Sequence, residues 1–139
     1  MKRAVLAVLA VFATWSILDF ILHGLILGPT YATSPELWRP VAHMKAGLLF
    51  FTVLIKAAAF VTIYARFIGE KRVGSAVLYG LVFGIGIGSG MGYGTSAVMP
   101  IPSVIAFAWF AGSVIEAVAG GLVAGLIIKT EPGHAGKDF

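Results

Sequence analysis

The stretch Gly80–Ser96, "GLVFGIGIGSGMGYGTS", decides how this chain is read, because every second residue from Gly84 to Gly94 is glycine. It lies inside a longer apolar segment, Val73 to Met99, which exceeds the about 20 residues a helix needs to cross a bilayer. At about 100° per residue, alternate glycines fall about 200° apart and separate into two rows. Gly80, Gly84, Gly88 and Gly92 form one row; Gly86, Gly90 and Gly94 form another on nearly the opposite side. Both are small-xxx-small ridges, the pattern that lets helix backbones approach closely in lipid. Glycine costs about 1 kcal/mol per residue in a water-exposed helix, but lipid tolerates no unpaired backbone groups and holds the segment helical. Two smooth faces call for two neighbours: the segment that follows it in the chain, and a second copy or another subunit.

Other readings of the run require features that it lacks. A phosphate-binding loop needs a preceding strand, and a Walker motif ends in Gly-Lys-Ser/Thr. Gly92-Tyr93-Gly94 resembles the core of potassium-channel filters. In that family, however, the triplet follows a separate pore helix and a Thr-Val pair, whereas here it lies late in a continuous span.

Composition points the same way. Of 139 residues, 59 % are hydrophobic and 12 % charged, and the mean hydropathy is +0.97, too apolar for an ordinary soluble domain. Four apolar segments, roughly 4–28, 43–66, 73–99 and 103–128, leave an outer loop 29–42 and a tail 129–139 in a single domain. Connections this short predict an all-α membrane protein, four transmembrane helices in an antiparallel up-down bundle. The absence of cysteine excludes disulfides and thiolate metal sites. The absence of Asn and Gln leaves interhelical hydrogen bonding to hydroxyl, aromatic and charged side chains.

The net charge of +4 follows topology rather than a nucleic-acid partner. Lys2, Arg3, Arg66, Lys71, Arg72, Lys129 and Lys137 fall on one side of the spans, with Arg39 and Lys45 on the other. By the positive-inside rule both termini are expected in the cytoplasm, the membrane being a bacterial inner membrane. The basic clusters sit at span ends without aromatic interleaving, so no nucleic acid is expected as partner. "MKRAVLAVLAVFA" has the look of a signal peptide, but the apolar run continues to Gly28, and the first span is read as permanent.

In the outer loop, Thr33-x-x-Glu36 can form a capping box with Pro35 at the first helical position. Trp38 is then the interface anchor at headgroup level. In the fourth span, Ala108, Gly112, Glu116, Gly120 and Ala124 recur every four residues, which sets Glu116 on a small-residue face that a helix can approach closely.

Four ionisable residues lie inside spans: Asp19 and His23, Lys56, and Glu116. Each costs about 2.5–3.5 kcal/mol to insert and is a functional candidate by default. Lys56 and Glu116 fall near the middle of their spans, Asp19 slightly toward the outer side and His23 one turn beyond it on the same face. One lysine neutralises one carboxylate. The second carboxylate must carry a proton, pair with a charged His23 or bind a cation, which is the chemistry of a proton- or cation-linked transporter.

A second expectation is a non-catalytic accessory subunit of a larger membrane complex. A third is a membrane-embedded metal-binding oxidoreductase subunit, with Asp19, His23, His43 and Glu116 as oxygen and imidazole ligands for a transition metal. Asp19-x-x-x-His23 resembles part of the copper site of the membrane monooxygenases for methane and ammonia. That family adds a histidine thirteen positions on, where this chain has Glu36. A haem bridged by His23 and His43 is disfavoured, and no cofactor is required. Small multidrug-resistance transporters are similar in architecture only, their essential glutamate lying in the first span. The expected partners are therefore the lipid bilayer and either a second copy or a larger membrane complex.

Overall fold

The computed structural model describes residues 2–129, and the expected tail from 130 onward lies outside the described residues. It is helical, with no strand among the described residues. Four helices are long and apolar enough to cross a membrane: Lys2–Ile26, Ala46–Phe67, Val73–Val98 and Ser103–Ile127. They are called the first to fourth spans below. The first ends before Pro29, which has no N–H to give and whose ring would crowd the carbonyl four residues back. The second begins later than the hydropathy pattern indicates, because Val41–His43 forms a separate 3₁₀ turn. At its far end the Lys71 ammonium donates to the carbonyls of Tyr64 (2.9 Å) and Ile68, capping orphan groups of the last turn.

Many of the buried positions are alanine or glycine, and many of the exposed ones are large and apolar. Ala7, Ala57, Ala76, Ala106, Ala117 and Ala124 are buried, while Leu6, Phe20, Leu49, Phe51, Leu78, Val82 and Phe107 are exposed. An apolar exterior of this extent suits hydrocarbon rather than water. Gly80, Gly84, Gly88 and Gly92 are buried against the fourth span. A Cβ on Gly84 would stand 2.8 Å from the Val114 Cα, and one on Gly88 would stand 2.8 Å from the Phe110 carbonyl oxygen. Gly86, Gly90 and Gly94 are exposed, and a Cβ on Gly86 or Gly90 would meet nothing within 4 Å.

Two segments depart from the α form. The first span widens to a π-helix over Phe20–Ile26, the third over Ser89–Gly94. In an α-helix each step of four residues overshoots a full turn by about 40°, so Gly92 would drift about 120° from Gly80. The wider π turn holds more residues and turns Gly92 back onto the fourth span, where its Cβ position meets the Ala106 carbonyl.

The first span packs on the second and fourth, and the fourth on the third. Between the second and third spans large rings fill the space: Phe60 lies 4.6 Å from Tyr79 and 5.0 Å from Phe83, centroid to centroid. At one end, the loop end, Tyr31, Leu37 and Trp38 pack with Ile101, Ile105, Ala106 and Trp109. At the other, the terminal end, Ala7, Tyr64, Ala76, Ala124 and Ile128 belong to one cluster.

A candidate proton site where four spans meet

The sequence picture changes first in the loop. The expected capping box does not form. Ser34 is the residue before the 3₁₀ turn Pro35–Leu37 and makes no side-chain cap, while the Thr33 hydroxyl donates back to the Thr30 carbonyl at 2.7 Å. Trp38 folds inward, its ring 4.9 Å from Tyr31 and 6.0 Å from Trp109. Thr52, one turn before Lys56 in the second span, donates to the Leu49 carbonyl of its own helix at 2.8 Å.

At mid-length of the fourth span Glu116 is buried, 8 % exposed, the only buried charged residue among the described residues. The helix that approaches its face is the first span. Gly120 carries the Trp15 indole, whose Nε1 would lie 2.7 Å from a Cβ there, and Gly112 receives Leu22. With that seat open, the Trp15 N–H donates to the Glu116 carbonyl at 2.6 Å. The Asp19 carboxyl lies close enough to the Glu116 carboxyl for two negative charges to repel, and like charges so placed favour one carboxyl keeping its proton.

Lys56 forms no ion pair within 4 Å among the described residues. Its ammonium stands 5.6 Å from the centre of the Trp15 ring, and its charge reaches both Glu116 and His23. A cavity of about 20 Å³ separates it from Glu116, lined by Trp15, Phe83, Ile87, Ser113 and Ala117 and so by all four spans. That is room for about one water, with the Lys56 ammonium, Ser113 hydroxyl and Glu116 carboxyl as polar partners.

Toward the loop end the polar groups continue. His23 Nε2 lies 3.9 Å from Asp19 Oδ1, and His23 Nδ1 is 2.5 Å from the Tyr31 hydroxyl. The Trp109 N–H donates to that same hydroxyl at 2.8 Å. Tyr31 therefore accepts from Trp109 and directs its own proton at Nδ1, which leaves the Nε2 proton facing Asp19. Sequence patterning did not single out Tyr31 or Trp109. One lies in the loop and the other nearly two turns into a span, 78 residues apart, and aromatic type alone does not mark such a pair.

Burial raises the Tyr31 phenol above its ordinary 10.0, and the Trp109 hydrogen bond opposes the rise. The neutral phenol is the favoured form, so its contribution to stability is complete below pH 10 and is lost as pH climbs through the raised value. In a near-ultraviolet titration, the difference between the wild type and Tyr31→Phe should show phenolate only above pH 10. Trp109→Phe should move that midpoint higher still; a midpoint at or below 10 would contradict the buried geometry.

No group of three His, Asp or Glu side chains is placed to hold a metal among the described residues. His43 is exposed in its 3₁₀ turn, apart from the Asp19, His23 and Tyr31 chain. Fold and polar centre together define a helical membrane protein with a charged interior. Compared with known protein families, characterised proteins and solved structures, the chain matches none of them.

Proposed function

We propose that the Asp19–Glu116 pair is the proton-binding centre of a small membrane transporter, an up-down bundle with both termini in the cytoplasm. The observation that carries this reading is the buried mid-span carboxyl of Glu116, with Asp19 beside it and a single lysine, Lys56, facing it across the cavity. One proton between them leaves a single negative charge, which Lys56 balances. The centre is therefore neutral when loaded and gains a negative charge when the proton leaves, a change that can be coupled to movement of a solute. Without a third ligand, the centre suits a proton better than a metal ion.

The test is reconstitution in vesicles containing a pH-sensitive dye. Glu116→Gln and Asp19→Asn should each reduce proton flux about a hundredfold, the range by which a positioned proton-transfer group acts. Flux unchanged in both variants would end the proposal.

The open row Gly86, Gly90 and Gly94 supports a second reading, in which this face of the third span receives another copy or a subunit of a larger complex. Native mass spectrometry after gentle extraction distinguishes the cases: a foreign subunit at fixed stoichiometry supports an accessory role, and a dimer supports a self-contained transporter.

A further inference from the structure

The groups that surround the Asp19–Glu116 pair are unevenly distributed along the membrane normal. On the loop side stand His23 of the first span, then the Tyr31 hydroxyl of the loop and the Trp109 N–H of the fourth span. Level with the pair are Lys56 of the second span and the Ser113 hydroxyl of the fourth. From the third span only Phe83 and Ile87 face the centre, and neither titrates.

Toward the terminal end the chain of polar groups stops. Ser16, three residues before Asp19, has its hydroxyl buried with no hydrogen-bond partner. Beyond it lie Ala7, Val11, Phe60, Val61, Tyr64 and Ala124, each at most 1 % exposed. The rings in this half pack closely, Trp15 edge-on to Phe60 at 5.2 Å and Phe60 tilted against Tyr79 at 4.6 Å. The other hydroxyls inside this half cannot continue a relay, because Tyr79, Tyr64 and Thr14 are each committed to a backbone carbonyl: to Phe60 at 3.0 Å, Arg72 at 3.3 Å and Ala10 at 2.8 Å. A carbonyl accepts but has no proton to pass on.

We infer that the carboxyl pair exchanges its proton with the loop side alone, through His23 and Tyr31, and that the aromatic plug around Phe60 closes the route to the terminal side. The inference rests on reading the pair as a proton site. It adds that the protein, in the state seen here, is a half-channel rather than a continuous conductor. Each passage delivers one proton: Tyr31 passes its own to Nδ1 as Nε2 gives its own to the Asp19 carboxylate, and the Tyr31 oxygen takes a proton from water at the loop, which is left there as hydroxide.

A membrane-permeant carbodiimide, which attacks protonated carboxyls within lipid, reports the state of the pair in proteoliposomes of uniform orientation. With the pH varied on one side at a time, labelling of Glu116 and Asp19, read by peptide mass spectrometry, should follow the loop-side pH and ignore the terminal side. His23→Phe should slow the loop-side response about tenfold or more. Labelling that follows the terminal-side pH, alone or together with the other, overturns the one-sided route while leaving the proton site intact. Labelling that responds to neither side removes the proton site itself. Phe60→Ala should open the plug and make labelling respond to both sides. The wild-type measurement decides the matter even if that variant does not fold.

Discussion

Alanine at Gly84 should lower the unfolding midpoint strongly, while alanine at Gly86, two residues away, should leave it unchanged or raise it. The added Cβ at Gly84 meets the Val114 Cα at 2.8 Å and the Ala117 Cβ at 2.9 Å. Backbone cannot swing aside as a flexible side chain can. Overpacking of this kind costs about 1–3 kcal/mol and sometimes more, and here it pushes apart the two most closely packed spans. At Gly86 the new methyl enters open space and removes some of glycine's helix penalty, worth up to about 1 kcal/mol. Denaturant titration in bicelles reads both. An equal loss at Gly86 and Gly84 would mean that a neighbour occupies the outer row in the assembled protein.

The second large effect concerns the charge count. If one proton is shared between Asp19 and Glu116, either amide variant, Asp19→Asn or Glu116→Gln, still leaves one carboxylate against Lys56 and should fold with near wild-type stability. Changing both removes every counter-charge from the lysine, and Lys56→Met removes the counter-charge from the pair. Leaving a charge uncompensated inside a span in this way costs about 2.5–3.5 kcal/mol. Combining all three substitutions leaves no formal charge at Asp19, Glu116 or Lys56, and it should recover much of the loss. A ranking in which each single amide variant is as damaging as Lys56→Met would show that both carboxylates are ionised and that the centre holds no proton.

The parts of this molecule that depend on local repetition were readable from the chain. Apolar length marks the four spans, and the four-residue spacing of Gly80, Gly84, Gly88 and Gly92 marks a row on one helix face. Asp19, His23, Lys56 and Glu116 stand out because charge in lipid is costly. What was not readable depends on which helix faces which. The Glu116 face with its glycines suits any close neighbour, and only the fold assigns it to Trp15 of the first span. Tyr31 and Trp109 look in sequence like ordinary interfacial aromatics. Trp38 satisfies the rule for a headgroup anchor, and only the fold shows that its ring packs against Tyr31 and Trp109. The two π segments have no spacing signature, and glycine or proline nearby permits them without requiring them.

The winding at Phe20–Ile26 bears directly on the relay. A π turn accommodates one residue more than the α turn it replaces, and one residue of slack corresponds to about 100° of azimuth. Were the first span regular from Asp19 to Ile26, the same amino acids would present the imidazole along a different bearing, away from Tyr31 or away from Asp19. The contact between histidine and its two partners is thus encoded partly in the pitch of the peptide chain, a quantity that no single side chain carries.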